Sequence, residues 1–161
     1  MADGFFRTQL ASYAAVHRDR RNKATHFVGI PVIVFSLLLL LTHWHLSLAV
    51  AAIAVVGWLA LDVGIGLVMA VFMALAWWAA EGLAAALGSP AAVWTAFAVL
   101  FVGGWVLQFL GHAYEGRRPA LIDNIFQAFV GPMFLVAEAM VALGYRPDLA
   151  RAMGEHRVTA R

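Results

Sequence analysis

The chain has 161 residues, 63% of them hydrophobic and only 12% charged, about half the charged share of a soluble domain. An all-α integral membrane protein is therefore expected. The absence of cysteine excludes disulfides, thiolate metal sites and cysteine nucleophiles, and a net charge of +2 is too small to suggest nucleic-acid binding.

The first 26 residues are polar and basic, with no apolar core followed by a small-residue cleavage site, so no signal peptide is expected. Within them, GFFRTQLASYAAVHRDRR (residues 4–21) is helical and amphipathic. Phe6, Leu10, Tyr13 and His17 recur at helical spacing, with Arg7, Arg18 and Arg21 elsewhere. This predicts a helix lying at the membrane surface.

Four apolar runs follow, at about 27–42, 46–62, 65–87 and 91–110. Thr42-His43-Trp44-His45, Asp62 with Gly64 and Gly66, and Gly88-Ser89-Pro90 separate them. A span needs about 20 residues, so the first two runs are near the short limit. Pro31 falls in the first turns of the first run, where a missing N–H is tolerated. A fifth stretch, 125–143, carries Gly131-Pro132 near its middle and predicts a broken or re-entrant segment. The reading is one membrane domain. It has an interfacial arm (1–26), about four transmembrane helices (27–110), a polar segment (111–124), the broken segment (125–143) and a basic tail (144–161).

Lys and Arg set the orientation. They crowd the N-terminal arm (Arg7, Arg18, Arg20, Arg21, Lys23), the polar segment (Arg117, Arg118) and the tail, and are absent from 43–45 and 88–90. The arm and the polar segment are thus expected on the cytoplasmic side, with the bacterial inner membrane as the location.

The polar segment GHAYEGRRPALIDN (111–124) is too rich in functional groups for a plain loop. The topology brings His17, His26 and His112 to one face of the membrane, and imidazole is the commonest metal ligand. His17 and His26 are nine residues apart and would face opposite ways on one straight helix. A shared site needs a bend, expected at Asn22. His112 and Glu115 share a helix face, and Asp123 and Glu138 are further carboxylates. Such a set suits iron(II), manganese or zinc. Each lone interfacial histidine is otherwise a hydrogen-bonded helix end, Arg117 and Arg118 are otherwise membrane anchors, and Glu81 snorkels. His43 and His45 lie on the opposite face, and His156 sits in the tail.

Two blocks carry a resemblance. They are Tyr13-x-x-x-His17-x-x-x-x-Asn22-Lys23-x-x-His26-x-x-Gly29-Ile30-Pro31 and Gln108-Phe109-x-Gly111-His112-x-x-Glu115-Gly116-Arg117-Arg118-Pro119-Ala120-Leu121. In these the chain resembles the small membrane family of 2-hydroxy fatty acid dioxygenases, whose fungal members act in breakdown of the phytosphingosine long-chain base. The likeness covers nearly the whole chain in order and hydropathy. It implies an iron(II) enzyme that shortens a 2-hydroxy fatty acid by one carbon with O2 (α-oxidation), with His17, His26 and His112 as the metal ligands.

That chemistry fits the residues. The acyl tail would lie between spans or in the lipid bilayer, with its hydroxy-carboxylate head at the metal. Glu115, Arg117 and Arg118 are expected to be catalytic, Glu115 as a possible fourth ligand and the arginines on the substrate carboxylate. Asn22, Gln108, Asp123 and Asn124 are candidates to orient the imidazoles. The alternatives are a haem-binding protein with axial histidine pairs and a non-catalytic lipid-binding protein.

Overall fold

A computed structural model describes residues 2–119 and 124–154. Among these the chain forms seven helices and no strand. They are α1 (Ala2–Ala15), α2 (Arg20–Thr42), α3 (Ser47–Leu61), α4 (Val63–Leu87), α5 (Pro90–Glu115), α6 (Phe126–Ala142) and α7 (Pro147–Ala152).

Local chemistry sets the boundaries. Asp19, Asp62 and Ser89 cap the N-termini of α2, α4 and α5, accepting from the backbone N–H of Arg21, Ile65 and Ala92. Pro90 starts α5 where its missing N–H is harmless. Gly88 and Gly116 end α4 and α5 at φ of 65° and 68°, the left-handed region open to glycine.

Three described helices, α2, α4 and α5, are long and apolar enough to cross a membrane. Helix α3, with 15 residues, reaches only about 22 Å at about 1.5 Å per residue, short of a hydrocarbon core of about 30 Å. Large apolar side chains face outward, including Val71, Leu75, Trp78, Val99 and Val102, each at least 59% exposed. This surface suits lipid.

Helix α2 begins at Arg20, so Pro31 is deep in the helix rather than in its first turns. The polar residues before Phe27 continue the helix below its apolar part and carry Asn22 and His26. Helix α5 likewise runs past the apolar run to Glu115. The two helices cross closely because glycines line the contact. A Cβ on Gly104 would come within 2.6 Å of Ile33, and one on Gly111 within 2.2 Å of Thr25. Small residues allow this approach between apolar helices.

The expected break at Gly131-Pro132 is absent. Helix α6 runs through both residues. Val130, Met133, Phe134 and Ala137 around them are fully buried, and that packing overrides the local breaker signal. The contacts of α6 lie along one end of the long helices. The Trp58 indole N–H donates to the Phe129 carbonyl at 3.0 Å, Lys23 pairs with Glu138, and beyond the helix Arg146 pairs with Asp62. Helix α1 packs against α6 through buried Phe6, Leu10, Tyr13 and Ala14, the face its spacing predicts. Arg7 of α1 pairs with Asp148 of α7 at 2.8 Å.

Candidate metal centre

The site forms where α1 hands over to α2 beside the end of α5. The bend expected at Asn22 falls instead between Ala15 and Arg20. There the Val16 and His17 N–H groups donate to the Tyr13 and Ala14 carbonyls, both at 3.2 Å, tightening the last turn of α1. Asn22 is inside α2.

This bend lets three buried imidazoles converge. His17 and His26 are each 1% exposed and His112 is 6%. Their ring centroids are 4.6, 4.9 and 5.0 Å apart, with interplanar angles of 72–80°. One nitrogen from each lies within 4.8 Å of the others. Rings this close leave no gap for a porphyrin between any two, which disfavours the haem alternative.

The tautomers follow from the neighbours. His17 donates Nδ1–H to the Tyr13 carbonyl at 2.6 Å, and His26 donates Nδ1–H to the Asn22 carbonyl at 2.9 Å. A carbonyl only accepts, so both Nδ1 atoms hold protons and both Nε2 atoms present lone pairs. Those two Nε2 atoms are 3.1 Å apart. Burial pushes the His17 imidazole down to about 4, outweighing the Tyr13 carbonyl that raises it, so the ring is neutral at neutral pH. Two neutral rings then face each other through lone pairs with no proton between them. A cation relieves that repulsion. His112 adds a buried Nδ1 with no hydrogen-bond partner. A buried all-imidazole site of this kind fits a divalent transition metal, and the carbonyls behind two of the rings fix the ligand tautomer.

The other expected site residues separate into groups. Glu115 turns to the α1–α2 connection. Its carboxylate accepts from the N–H of Arg18 (2.9 and 3.0 Å) and Asp19 (2.8 Å) and from Asn22 Nδ2 (3.0 Å). It clasps the segment carrying His17. Asn22 touches the site through its carbonyl. Arg117 and Arg118 lie exposed on the turn after α5. Glu138 is paired with Lys23 and is not in the histidine cluster. Asn124 accepts the Phe126 N–H and donates to Gln9. Asp123 and His156 lie outside the described residues. Asp62, in the connection between α3 and α4, caps α4 and pairs with Arg146. Glu81, expected to snorkel, accepts from Ser47 Oγ at 2.6 Å.

A cavity of about 330 Å³ opens beside the histidines. His26, His112, Tyr13, Gln108 and Gln127 form its polar part, and Ile33, Val34, Leu37, Phe101 and Trp105 its apolar walls. Gln108 was expected near the site. Gln127 and Tyr13 were not assigned to it. Gln127 stands in a stretch read only as a broken span, and its one sequence signal is an amide at the start of an apolar run. Tyr13 stacks on the His17 ring at 4.0 Å and 1°.

A family model described as 2-hydroxy-palmitic acid dioxygenase Mpo1-like matches residues 5–143. The 2-hydroxy-palmitic acid dioxygenase MPO1 of Saccharomyces cerevisiae is 32% identical over 158 residues, covering 93% of this chain and 87% of the yeast protein. No solved structure matches.

Proposed function

The chain belongs to the Mpo1-like 2-hydroxy-palmitic acid dioxygenase family, and from that premise we propose that it is an iron(II)-dependent dioxygenase of 2-hydroxy fatty acids. It converts its substrate with O2 to the fatty acid one carbon shorter. His17, His26 and His112 hold the metal. Bound there, iron(II) supplies the redox chemistry with O2 that no side chain in this chain offers.

The observation that carries this reading is the pair of Nε2 lone pairs 3.1 Å apart, with both Nδ1 protons committed to carbonyls. Three neutral imidazoles and no thiolate suit a metal that must keep positions open for substrate and O2. The apolar cavity takes the acyl chain and excludes water from it, which favours a long-chain substrate. Arg117 and Arg118, next in sequence to the cavity residue Pro119, attract the carboxylate. Glu115 acts by holding the His17 segment in place. The Lys and Arg residues of the arm support a cytoplasmic N-terminus and site.

The test is elemental analysis of anaerobically purified protein, with His17→Ala, His26→Ala and His112→Ala beside the wild type. About one iron per chain is expected, lost in each folded variant, together with O2-dependent chain shortening of 2-hydroxypalmitic acid by the wild type alone. A wild type without stoichiometric metal would sink the dioxygenase reading and leave the lipid-binding one.

A further inference from the structure

The Gln127 amide is 3% exposed, lines the cavity, and its Oε1 has no hydrogen-bond partner. An amide can be turned end for end, so the assignment must come from its network. Here a backbone group fixes it. The Phe126 N–H can only donate, and it donates to Asn124 Oδ1 at 3.0 Å. Asn124 therefore presents Nδ2, which donates to Gln9 Oε1 at 3.3 Å. Gln9 Oε1 is thus an acceptor, and the Gln127 atom 2.7 Å from it must be Nε2. Three steps from a backbone N–H leave Gln127 Oε1 as a buried acceptor without a donor.

A buried acceptor left unpaired is destabilising, so it is expected to have a donor in the working state. On α5, Gln108 lines the same cavity, and one end of its amide, placed as Nε2, is buried without a partner. A Cβ at Gly29 would sit 2.2 Å from that nitrogen, so the glycine leaves room for it. The missing partners are one donor and one acceptor, beside the histidines, at the polar end of an apolar cavity. The head of a 2-hydroxy acid carries both. A plain fatty acid, ionised, carries only acceptors.

We propose that Gln127 reads the 2-hydroxyl of the substrate, accepting its O–H at Oε1, while Gln108 Nε2 donates to the carboxylate, and that Gln9 and Asn124 are positioning residues that hold Gln127 in this orientation. The inference rests on the 2-hydroxy acid reading above and adds the residues that select hydroxylated over plain fatty acids.

The experiment measures, anaerobically on iron-loaded full-length protein in detergent, the dissociation constants of 2-hydroxypalmitic and palmitic acid. Their ratio is compared in wild type, Gln127→Met, Gln9→Met and Gln9→Glu. The wild type prefers the hydroxy acid. Gln127→Met loses roughly tenfold of that preference, as expected for one buried acceptor, with palmitic acid affinity and iron content kept. Gln9→Met, at a half-buried position, lowers it as well by freeing the amide to turn. Gln9→Glu keeps it, because a carboxylate still accepts from both neighbours. A merely structural role for Gln9 would not separate Glu from Met in this ratio. A wild type with preference, and a Gln127→Met that retains all of it, overturns the inference and leaves the dioxygenase reading standing. A wild type that binds both acids equally overturns this inference alone, and one that binds neither overturns the dioxygenase reading with it.

Discussion

Asn22 Nδ2 donates to the Glu115 carboxylate at 3.0 Å, joining the helix that carries His26 to the helix that carries His112. The same carboxylate takes the N–H groups of Arg18 and Asp19, so all three histidine-bearing segments meet at one acidic side chain. Glu115→Ala leaves these donors without their acceptor. Hydrogen bonds to a charged group contribute about 1.5–3 kcal/mol each, and water at this half-buried position replaces part of that. The expected loss is about 2 kcal/mol, read as a lower thermal midpoint in detergent, with weakened metal binding. Glu115→Gln falls between, since it keeps an acceptor but not the charge. Unchanged iron affinity in Glu115→Ala would remove the clasp from the account of the site.

Two glycines on α5 separate close packing from helix propensity. A Cβ at Gly111 would lie 2.2 Å from Thr25 Oγ1, 2.5 Å from Asn22 Oδ1 and 3.1 Å from His26 Nδ1. Gly111→Ala must displace the Thr25 and Asn22 side chains or part α2 from α5 beside the histidines, and overpacking of this kind costs about 1–3 kcal/mol. At Gly103 nothing lies within 4 Å of an added Cβ. Gly103→Ala is expected to be neutral or stabilising by up to about 1 kcal/mol. Thermal unfolding of the two variants checks the contrast, and only Gly111→Ala should lose iron.

Acid stability is set beyond the histidine cluster. Arg146 pairs with Asp62 and Asp148, and Arg7 also pairs with Asp148. Burial pushes the Asp62 carboxyl up, but the hydrogen bonds and charge of Arg146 hold it below its usual value. Arg146, against a smaller opposing effect of burial and with help from Arg7, holds Asp148 far below its own. Both folded values lie below the unfolded value of about 3.9. The unfolded chain therefore binds more protons in acid, and the stabilisation is present above about pH 4 and lost as pH falls below it. The thermal midpoint should be insensitive to these pairs from neutral pH down to about 5 and fall below 4. Arg146→Met should lower the midpoint at pH 7 and flatten that acid fall; an equally steep fall in the variant would place the acid sensitivity elsewhere.

The cavity should govern chain length. Val34 lines its apolar wall, and Val34→Phe fills part of it away from the histidines. Iron content is expected to stay at the wild-type level while binding of long 2-hydroxy acids weakens several-fold relative to short ones. Equal weakening for all chain lengths would mean that the acyl chain lies elsewhere, in the lipid or in the second apolar groove between Phe27 and Tyr145.

Much of this was legible in the chain. Phe6, Leu10 and Tyr13 recur at helical spacing and are the buried face of α1. Ser89-Pro90 marks a helix start and is one. His17, His26 and His112 stand out because an apolar chain has few reasons to keep imidazoles at span ends, and they converge. The misplaced features share a cause. Gly131-Pro132 is a strong local breaker, yet burial of Val130, Met133 and Phe134 on its neighbours holds the helix. The bend is not at Asn22, whose side chain is spent on Glu115 from inside α2.

By itself the sequence determined the helical membrane class and the three histidines of the candidate centre. Hydropathy is summed locally along each segment, and imidazole keeps its ligand chemistry wherever the chain places it. Only the tertiary structure decided which partner each polar group takes. The Glu115 carboxylate meets residues more than 90 positions away, Arg7 meets Asp148 across 141, and the orientation of Gln127 is inherited through Gln9 across 118. These pairings depend on how helices cross, and the crossing of α2 and α5 depends in turn on the space that Gly29, Gly104 and Gly111 leave between them. No spacing along one segment encodes that.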